Sequence, residues 1–297
     1  MSKKRVAIMG LGLMGSGMAG RLLSAEFPLT VYNRNPEKTA PFANAGAKVA
    51  GSPREAAANS DVIISMVADD AASRGVWLGE NGALAGSAPG TVLIESGTLT
   101  VGWIKELAAI ASQRGYEFLD APVTGTKPQA AAGQLRFLVG GPAAALETVR
   151  PVLSVLGQEI VHLGPTGSGA LMKLVNNFVC AAQLASLAEA VALIGAAGLD
   201  RDKMLAVLTS GAPGSPLVKS ASARAISGEP GVNFYLRLMA KDISYAMEEG
   251  ATRGVPMQTA ASTLAVFQHA IDAGRGDMDL SAIIASVEPI QSTAKKL

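Results

Sequence analysis

One cysteine, Cys180, and two histidines, His162 and His269, are all that a chain of 297 residues offers of those types. A single cysteine excludes an intrachain disulfide framework and a cysteine-rich metal site. Two histidines put a histidine-rich zinc site out of reach. Charge is scarce as well, with 16% charged residues and a net charge of +1. No basic cluster stands out, which argues against a nucleic-acid partner. So few charges beside 49% hydrophobic residues suggest that apolar surface is buried against another subunit. Internal repeats and low-complexity tracts are missing. At this length the chain is expected to bury a sizeable core and to form two domains.

No run reads firmly as a membrane span. The start of the chain imitates a secretion signal, with Lys3-Lys4-Arg5 ahead of an apolar stretch over residues 6–18. Gly10, Gly12, Gly15 and Gly17 interrupt that stretch. A strand-turn-helix explains those glycines, and a signal does not. The expected location is cytoplasmic, without a membrane partner.

What is present begins with that turn. Residues 6–9 read as a strand, and Gly10-Leu11-Gly12-Leu13-Met14-Gly15 leads into a helix reaching about Ser24. This is the dinucleotide fingerprint in its required context. The first glycine allows the tight turn, the second admits a pyrophosphate, and the third packs the helix on the strand. The free N–H groups of the helix start then face the phosphates. A second strand over residues 29–32 ends in Asn33-Arg34, where an acidic residue would favour NAD. Without that carboxylate, and with an arginine fork for a 2′-phosphate, the chain is expected to prefer NADP, NAD being the alternative.

Strands then alternate with helices. Residues 61–67 form a buried strand ending at Met66-Val67, and residues 91–95 another, ending in Ser96-Gly97-Thr98. Strand ends of this kind build the cofactor crevice. The Thr98 hydroxyl either meets the nicotinamide ribose or substrate, or caps the helix over residues 101–114. After a strand at 116–119 comes a loop dense in hydroxyls and glycine, from Asp120 to Pro128, which suits a carboxylate ligand. The last strand covers residues 160–163, and the rhythm breaks at Gly164-Pro165-Thr166-Gly167. Beyond it nearly every segment reads as helix. The expected architecture is α/β: a Rossmann-type doubly wound sheet over residues 1–164, then an all-helical domain over 165–297.

The second domain opens on Gly167-Ser-Gly-Ala-Leu-Met-Lys173-Leu-Val-Asn176-Asn177. Both amides fall on the lysine's face of the helix. Burial among apolar walls (Leu171, Met172, Leu174, Phe178) would make the ammonium a readier proton donor. A solvated lysine on an amphipathic helix is the plainer reading, and composition alone favours it.

Four motifs stand in order: Gly10 to Gly15, Asp120-Ala-Pro-Val-Thr124-Gly125, Gly167 to Asn177, and Lys241-Asp242-Ile243. Over almost its whole length the chain resembles the β-hydroxyacid dehydrogenases, which include 3-hydroxyisobutyrate dehydrogenase, tartronate semialdehyde reductase and the glyoxylate/succinic semialdehyde reductases. The resemblance implies an oxidoreductase interconverting small hydroxy acids and their semialdehyde or oxo forms, with NADP. It implies Lys173 as catalytic acid/base and Asn177 as its partner at the substrate. It also implies Thr98 near the nicotinamide, Lys241 reaching the cofactor with Asp242 beside it, and Phe234 lining the pocket. Thr124 with the N–H groups of Gly125 and Thr126 would bind the carboxylate, and no metal is needed where a lysine supplies the charge. Gly167 and Gly169 would leave room for the cofactor. Family members wrap two helical domains together through the helix at 168–197, so a homodimer or homotetramer is expected. Imine reductases share the architecture but generally lack this lysine, and non-catalytic relatives tend to lose it.

Three departures stand out. Thr124-Gly125-Thr126 replaces the family's usual Ser-Gly-Gly, and Glu95-Ser-Gly-Thr98 replaces a more usual Asp-x-Ser-Thr. Thr126-Lys127-Pro128 lies nearer to the glyoxylate/succinic semialdehyde branch.

Overall fold

The computed structural model describes residues 3–287; the outer bounds expected for the domains, residues 1 and 297, lie outside them. The chain divides into two compact units at Leu174/Val175.

In the first unit β1 (Val6–Met9) leads to α1 (Leu13–Ser24) and β2 (Leu29–Tyr32) to α2 (Ala40–Asn44). There follow β3 (Lys48–Val49), α3 (Pro53–Ala57), β4 (Val62–Ser65), α4 (Asp70–Trp77), α5 (Ala83–Gly86), β5 (Val92–Glu95) and α6 (Val101–Gln113). The unit continues through β6 (Glu117–Asp120), β7 (Val123–Thr124), α7 (Lys127–Ala132), β8 (Leu135–Gly140), α8 (Ala143–Leu156) and β9 (Gly157–Gly164).

The sheet runs β3-β2-β1-β4-β5-β6-β8-β7, with β9 paired to β8. From β3 to β6 every pairing is parallel. Val6 to Met9 and Val62 to Ser65 are buried without alternation, because helices cover both faces of a parallel sheet. The chain goes outward from β1 through β2 to β3, then returns to β4 on β1's other side. That reversal opens a crevice at the carboxyl ends of β1 and β4, where ligands of such sheets bind.

The expected doubly wound sheet is therefore present, with four elements the pattern did not announce. These are α4, α5, β7 and α7, all short. The last strand is also longer than expected, since buried Gly157 and exposed Gln158 and Glu159 extend it without apolar side chains.

A break was expected at residue 164, where β9 does end. The compact units nevertheless divide ten residues later, inside α9 (Ser168–Ala196). The reason is local: the first turn of α9 is bonded to the sheet. Asp120 at the end of β6 accepts the N–H groups of Gly167 and Ala170, each at 2.8 Å.

The second unit holds the rest of α9 with α10 (Arg201–Ser210), α11 (Pro216–Ser227), α12 (Leu236–Thr252) and α13 (Gln258–Ala270), then a 3-10 turn over Leu280–Ala285. Local chemistry sets these ends. Asp200 accepts the N–H groups of Asp202 and Lys203 ahead of α10, and Ser215 accepts that of Val218 with Pro216 in the first turn. Gly228 closes α11 at φ +62°, a conformation that suits glycine. Leu184, Leu236, Ile243, Phe267 and Ile283 are at the centre of this core.

Helix α9 has 29 residues, about 44 Å at ~1.5 Å per residue. By length and composition alone it is the one described helix that could cross a membrane. Val175, Val179 and Leu193 on it are 44%, 48% and 72% exposed. At ~100° per residue they share one face within about 40°.

Candidate active site

The crevice is built on three glycines with different tasks. Gly10 stands at φ +102°, and a Cβ there would lie 2.3 Å from the Met66 carbonyl oxygen. Only glycine lets the ends of β1 and β4 meet so closely. A Cβ at Gly15 would fall 1.9 Å from the Gly10 carbonyl oxygen, so the helix start presses on the turn. At Gly12 the space is open, with nothing within 4 Å. Gly12 also begins α1 without a side-chain cap, and no acidic residue stands in that helix's first turn. Open room over uncapped N–H groups at Leu13 and Met14 fits a pyrophosphate.

Asn33 has an internal task. Its Oδ1 accepts the N–H of Leu11 at 2.8 Å and its Nδ2 donates to the Asn35 carbonyl at 2.8 Å. It therefore fixes the glycine turn against the end of β2, while Arg34 beside it is exposed. Met66 and Val67, both partly buried, continue β4 into the same crevice. The Ser96 N–H donates to the Ser65 carbonyl at 2.8 Å, and a Cβ on Gly97 would lie 2.8 Å from the Val67 carbonyl oxygen. Thr98 thus stands where the ends of β4 and β5 touch. It is not the cap of α6. That role falls to Thr100, whose Oγ1 accepts the Trp103 N–H.

The loop after β6 departs from expectation. Thr124 pairs with Arg136 in the antiparallel ladder between β7 and β8, and Gly125 turns at φ +116°. Thr126, however, begins α7, and both its N–H and its hydroxyl donate to Gln129 Oε1, at 3.0 and 2.8 Å. The expectation that the Thr126 N–H holds a carboxylate is corrected by this bond. Half of a capping box uses it instead.

Two further expectations change at the start of α9. A Cβ on Gly169 would lie 2.2 Å from the Leu138 carbonyl oxygen, and one on Gly167, at φ +93°, would press on Val101 and Lys105. These glycines bring the helix against the protein's own sheet and α6, rather than making room for a cofactor. Asp120 is the reason for that approach, and its carboxyl is wholly buried. Burial pushes this carboxyl up from its usual range, against the pull of the N–H groups of Gly167, Ala170 and Gly169.

Lys173 follows on the same helix and is 8% exposed. The plainer reading of a solvated lysine is thereby set aside. Leu174 is buried and Leu171 and Phe178 partly so, but Met172 faces outward and is no wall of the lysine's surroundings.

In the second unit Asn177 is buried and donates from Nδ2 to Asp242 Oδ2 at 2.6 Å. Asn176 donates to Asn177 Oδ1 at 3.0 Å. Lys241 Nζ lies 2.7 Å from Asp242 Oδ1 and 4.3 Å from the centre of the Tyr245 ring. Phe234, partly buried, precedes α12 and packs on the core. Asn177, Asp242 and Lys241 are therefore linked directly, as the resemblance did not specify.

Two family models account for nearly the whole chain. Residues 5–164 match the NAD binding domain of 6-phosphogluconate dehydrogenase. Residues 167–287 match the NAD-binding model of NADP-dependent 3-hydroxyisobutyrate dehydrogenase. The chain belongs to the β-hydroxyacid dehydrogenase family. It is 34% identical to an NAD-dependent L-serine dehydrogenase of Pseudomonas aeruginosa, over 97% of this chain and 99% of that one. It is 33% identical to the chloroplastic glyoxylate/succinic semialdehyde reductase 2 of Arabidopsis thaliana, over 97% of this chain and 80% of that one. Among solved structures, the 3-hydroxyisobutyrate dehydrogenase of Mycobacterium tuberculosis with L-serine is similar at a TM-score of 0.85. That likeness has 31% identity over 96% of this chain and 99% of that one. The protein is an NAD(P)-dependent hydroxyacid dehydrogenase.

Proposed function

We propose that this dehydrogenase prefers NADP and interconverts a small acid bearing a nearby hydroxyl with its aldehyde or oxo form, using Lys173 as the acid/base. The observation that carries the reading is the burial of Lys173 on a helix whose first turn is bonded to the sheet through Asp120. The dinucleotide, when bound, supplies or accepts the hydride. Lys173 gives its proton to the substrate's carbonyl oxygen in reduction and takes it from the hydroxyl in oxidation. General catalysis of this kind is worth ~10²–10⁴ in rate. Asn177, four residues further along the helix and oriented by Asp242, holds the reacting oxygen. The Thr124 hydroxyl and the Gly125 backbone bind the carboxylate.

The NADP preference rests on Asn33 and Arg34. Asn33 brings no negative charge to the end of β2, and its donor and acceptor serve the backbone. The exposed Arg34 fork is suited to a 2′-phosphate. We further infer that a second copy of this chain covers the Val175, Val179 and Leu193 face of α9, whose apolar side chains stand exposed.

The test is a panel of glyoxylate, succinic, tartronate and methylmalonate semialdehydes with NADPH and NADH, and L-serine with the oxidised cofactors, ranked by kcat/KM. The expected result is turnover of at least one acid-bearing aldehyde, faster with NADPH, and a ratio narrowed by Arg34→Ala. Charge-assisted bonds of ~1.5–3 kcal/mol make that narrowing roughly tenfold or more. Equal or better use of NADH would overturn the cofactor assignment. Silence across the panel would overturn the substrate class.

A further inference from the structure

Glu95, the last residue of β5, is 0% exposed, and the two oxygens of its carboxylate hold different parts of the fold. Oε2 accepts from Ser73 Oγ at 2.7 Å and from Trp77 Nε1 at 2.8 Å, both on α4. Ser73 Oγ in turn accepts from Trp103 Nε1 of α6 at 2.9 Å. Oε1 accepts the N–H of Gly97 at 2.8 Å. Each of these partners is a neutral donor. Burial pushes the carboxyl up, and the bonds from Ser73, Trp77 and Gly97 pull it back.

Gly97 is held from two sides. A Cβ there would lie 2.8 Å from the Val67 carbonyl oxygen and 3.0 Å from Glu95 Oε1. Its backbone is therefore pressed between the end of β4 and the buried carboxylate, and the next residue is Thr98. Around it, α4 and α6 are laced independently. The Thr100 N–H donates to Asp70 Oδ1 at 3.0 Å, and Arg74 pairs with Glu106 at 2.5 Å while stacking 3.9 Å from the Trp103 ring.

We propose that Glu95 is a positioning residue for the reaction: its Oε1 fixes the Gly97 N–H and thereby sets where Thr98 stands in the crevice. The proposal rests on the reading that Thr98 serves the nicotinamide end of the site. The two oxygens make it separable from a purely structural role. A carboxamide has one acceptor oxygen, and two donors crowd the Oε2 side. In Glu95→Gln the oxygen turns to Ser73 and Trp77, and the NH₂ meets the Gly97 N–H, donor against donor. That substitution keeps the lacing of α4 and releases the turn. Ser73→Ala does the reverse.

The experiment compares Glu95→Gln, Ser73→Ala and Thr98→Ala in the full chain, with the best aldehyde of the panel and NADPH deuterated at C4. For Glu95→Gln the expected result is a dinucleotide Kd within about twofold of wild type, a kcat lower by about tenfold, and a larger deuterium isotope effect on kcat, as misplacement of the reacting groups requires. Ser73→Ala is expected to lower Tm while leaving kcat and the isotope effect unchanged. Parallel losses of kcat and Tm in both variants, with an unchanged isotope effect, would make Glu95 a structural residue only. A normal Thr98→Ala enzyme would remove the reading beneath the proposal, and the proposal with it. An impaired Thr98→Ala beside a normal Glu95→Gln would reject the proposal alone. If Glu95→Gln does not fold, Glu95→Asp is measured by the same quantities; it keeps the charge, retracts it from Gly97, and is expected to show the same isotope effect.

Discussion

Asn177 donates from Nδ2 to Asp242 Oδ2 at 2.6 Å, and both residues are buried. An ionised carboxylate only accepts, so it selects one of the amide's two orientations and turns Asn177 Oδ1 away from itself. Asp242→Asn supplies a donor as well as an acceptor, and the selection is lost. Losing a charge-assisted bond of ~1.5–3 kcal/mol is expected to lower kcat by roughly tenfold or more at saturating dinucleotide. Steady-state kinetics beside a fluorescence titration of NADPH checks it. A variant with wild-type kcat would detach Asn177 orientation from turnover.

Lys173 is best tested by keeping its charge. Arginine retains the cation but cannot release a proton in a protein. If proton transfer is the lysine's task, Lys173→Arg is expected to lose ~10²–10⁴ in turnover, as severely as Lys173→Ala, with dinucleotide binding intact in both. Substantial activity in the arginine variant would assign the lysine an electrostatic role instead.

Asp120 makes stability depend on pH. Its carboxyl is raised by burial above the ~3.9 of an unfolded aspartate, so the folded state holds the proton more tightly. This contribution is complete below about pH 4 and is lost as pH rises through the raised folded value. Asp120→Asn does not titrate, and it leaves one helix N–H without its acceptor at a cost of about 1 kcal/mol. The stability advantage of wild type over the variant is expected to be largest in acid and to shrink as pH rises. Urea unfolding at a series of pH values measures it, and an advantage that grew with pH would reverse the sign assigned here.

The apolar face of α9 gives a third kind of outcome. Glutamate at Val179 or Leu193, exposed by 48% and 72% in the single chain, costs little if the face is solvated. If a second copy covers it, each substitution buries an unpaired charge and is expected to yield monomers. Light scattering of wild type and both variants decides; a monomeric wild type would end the assembly proposal.

Much of the first unit was legible because its signals are local. Glycine spacing marked the turn after β1, apolar runs marked the central strands, and Gly164-Pro165 marked the end of β9. Helices α4 and α7 escaped because each is short and buries few residues. α4 buries only Ser73, Val76 and Trp77, and α7 only Ala130. With α4 unseen, Glu95 had no visible partners, since Ser73 and Trp77 lie 22 and 18 residues away. The same holds for Thr126: its bond to Gln129 turned a supposed ligand group into a helix start. Lys173 could be named from its motif, but its burial depends on tertiary packing that no spacing reveals.

Two helix starts in the first unit, those of α1 and α9, treat anions oppositely. At α1 the N–H groups lie over open space without a side-chain cap. At α9 the N–H groups of Gly167 and Ala170 go to Asp120, that of Ser168 to Pro165 and that of Leu171 to Gly167. Sulfate or phosphate from a buffer therefore finds a berth at the first and a closed door at the second. Inhibition by such salts is expected to be competitive with the dinucleotide and not with the acid substrate.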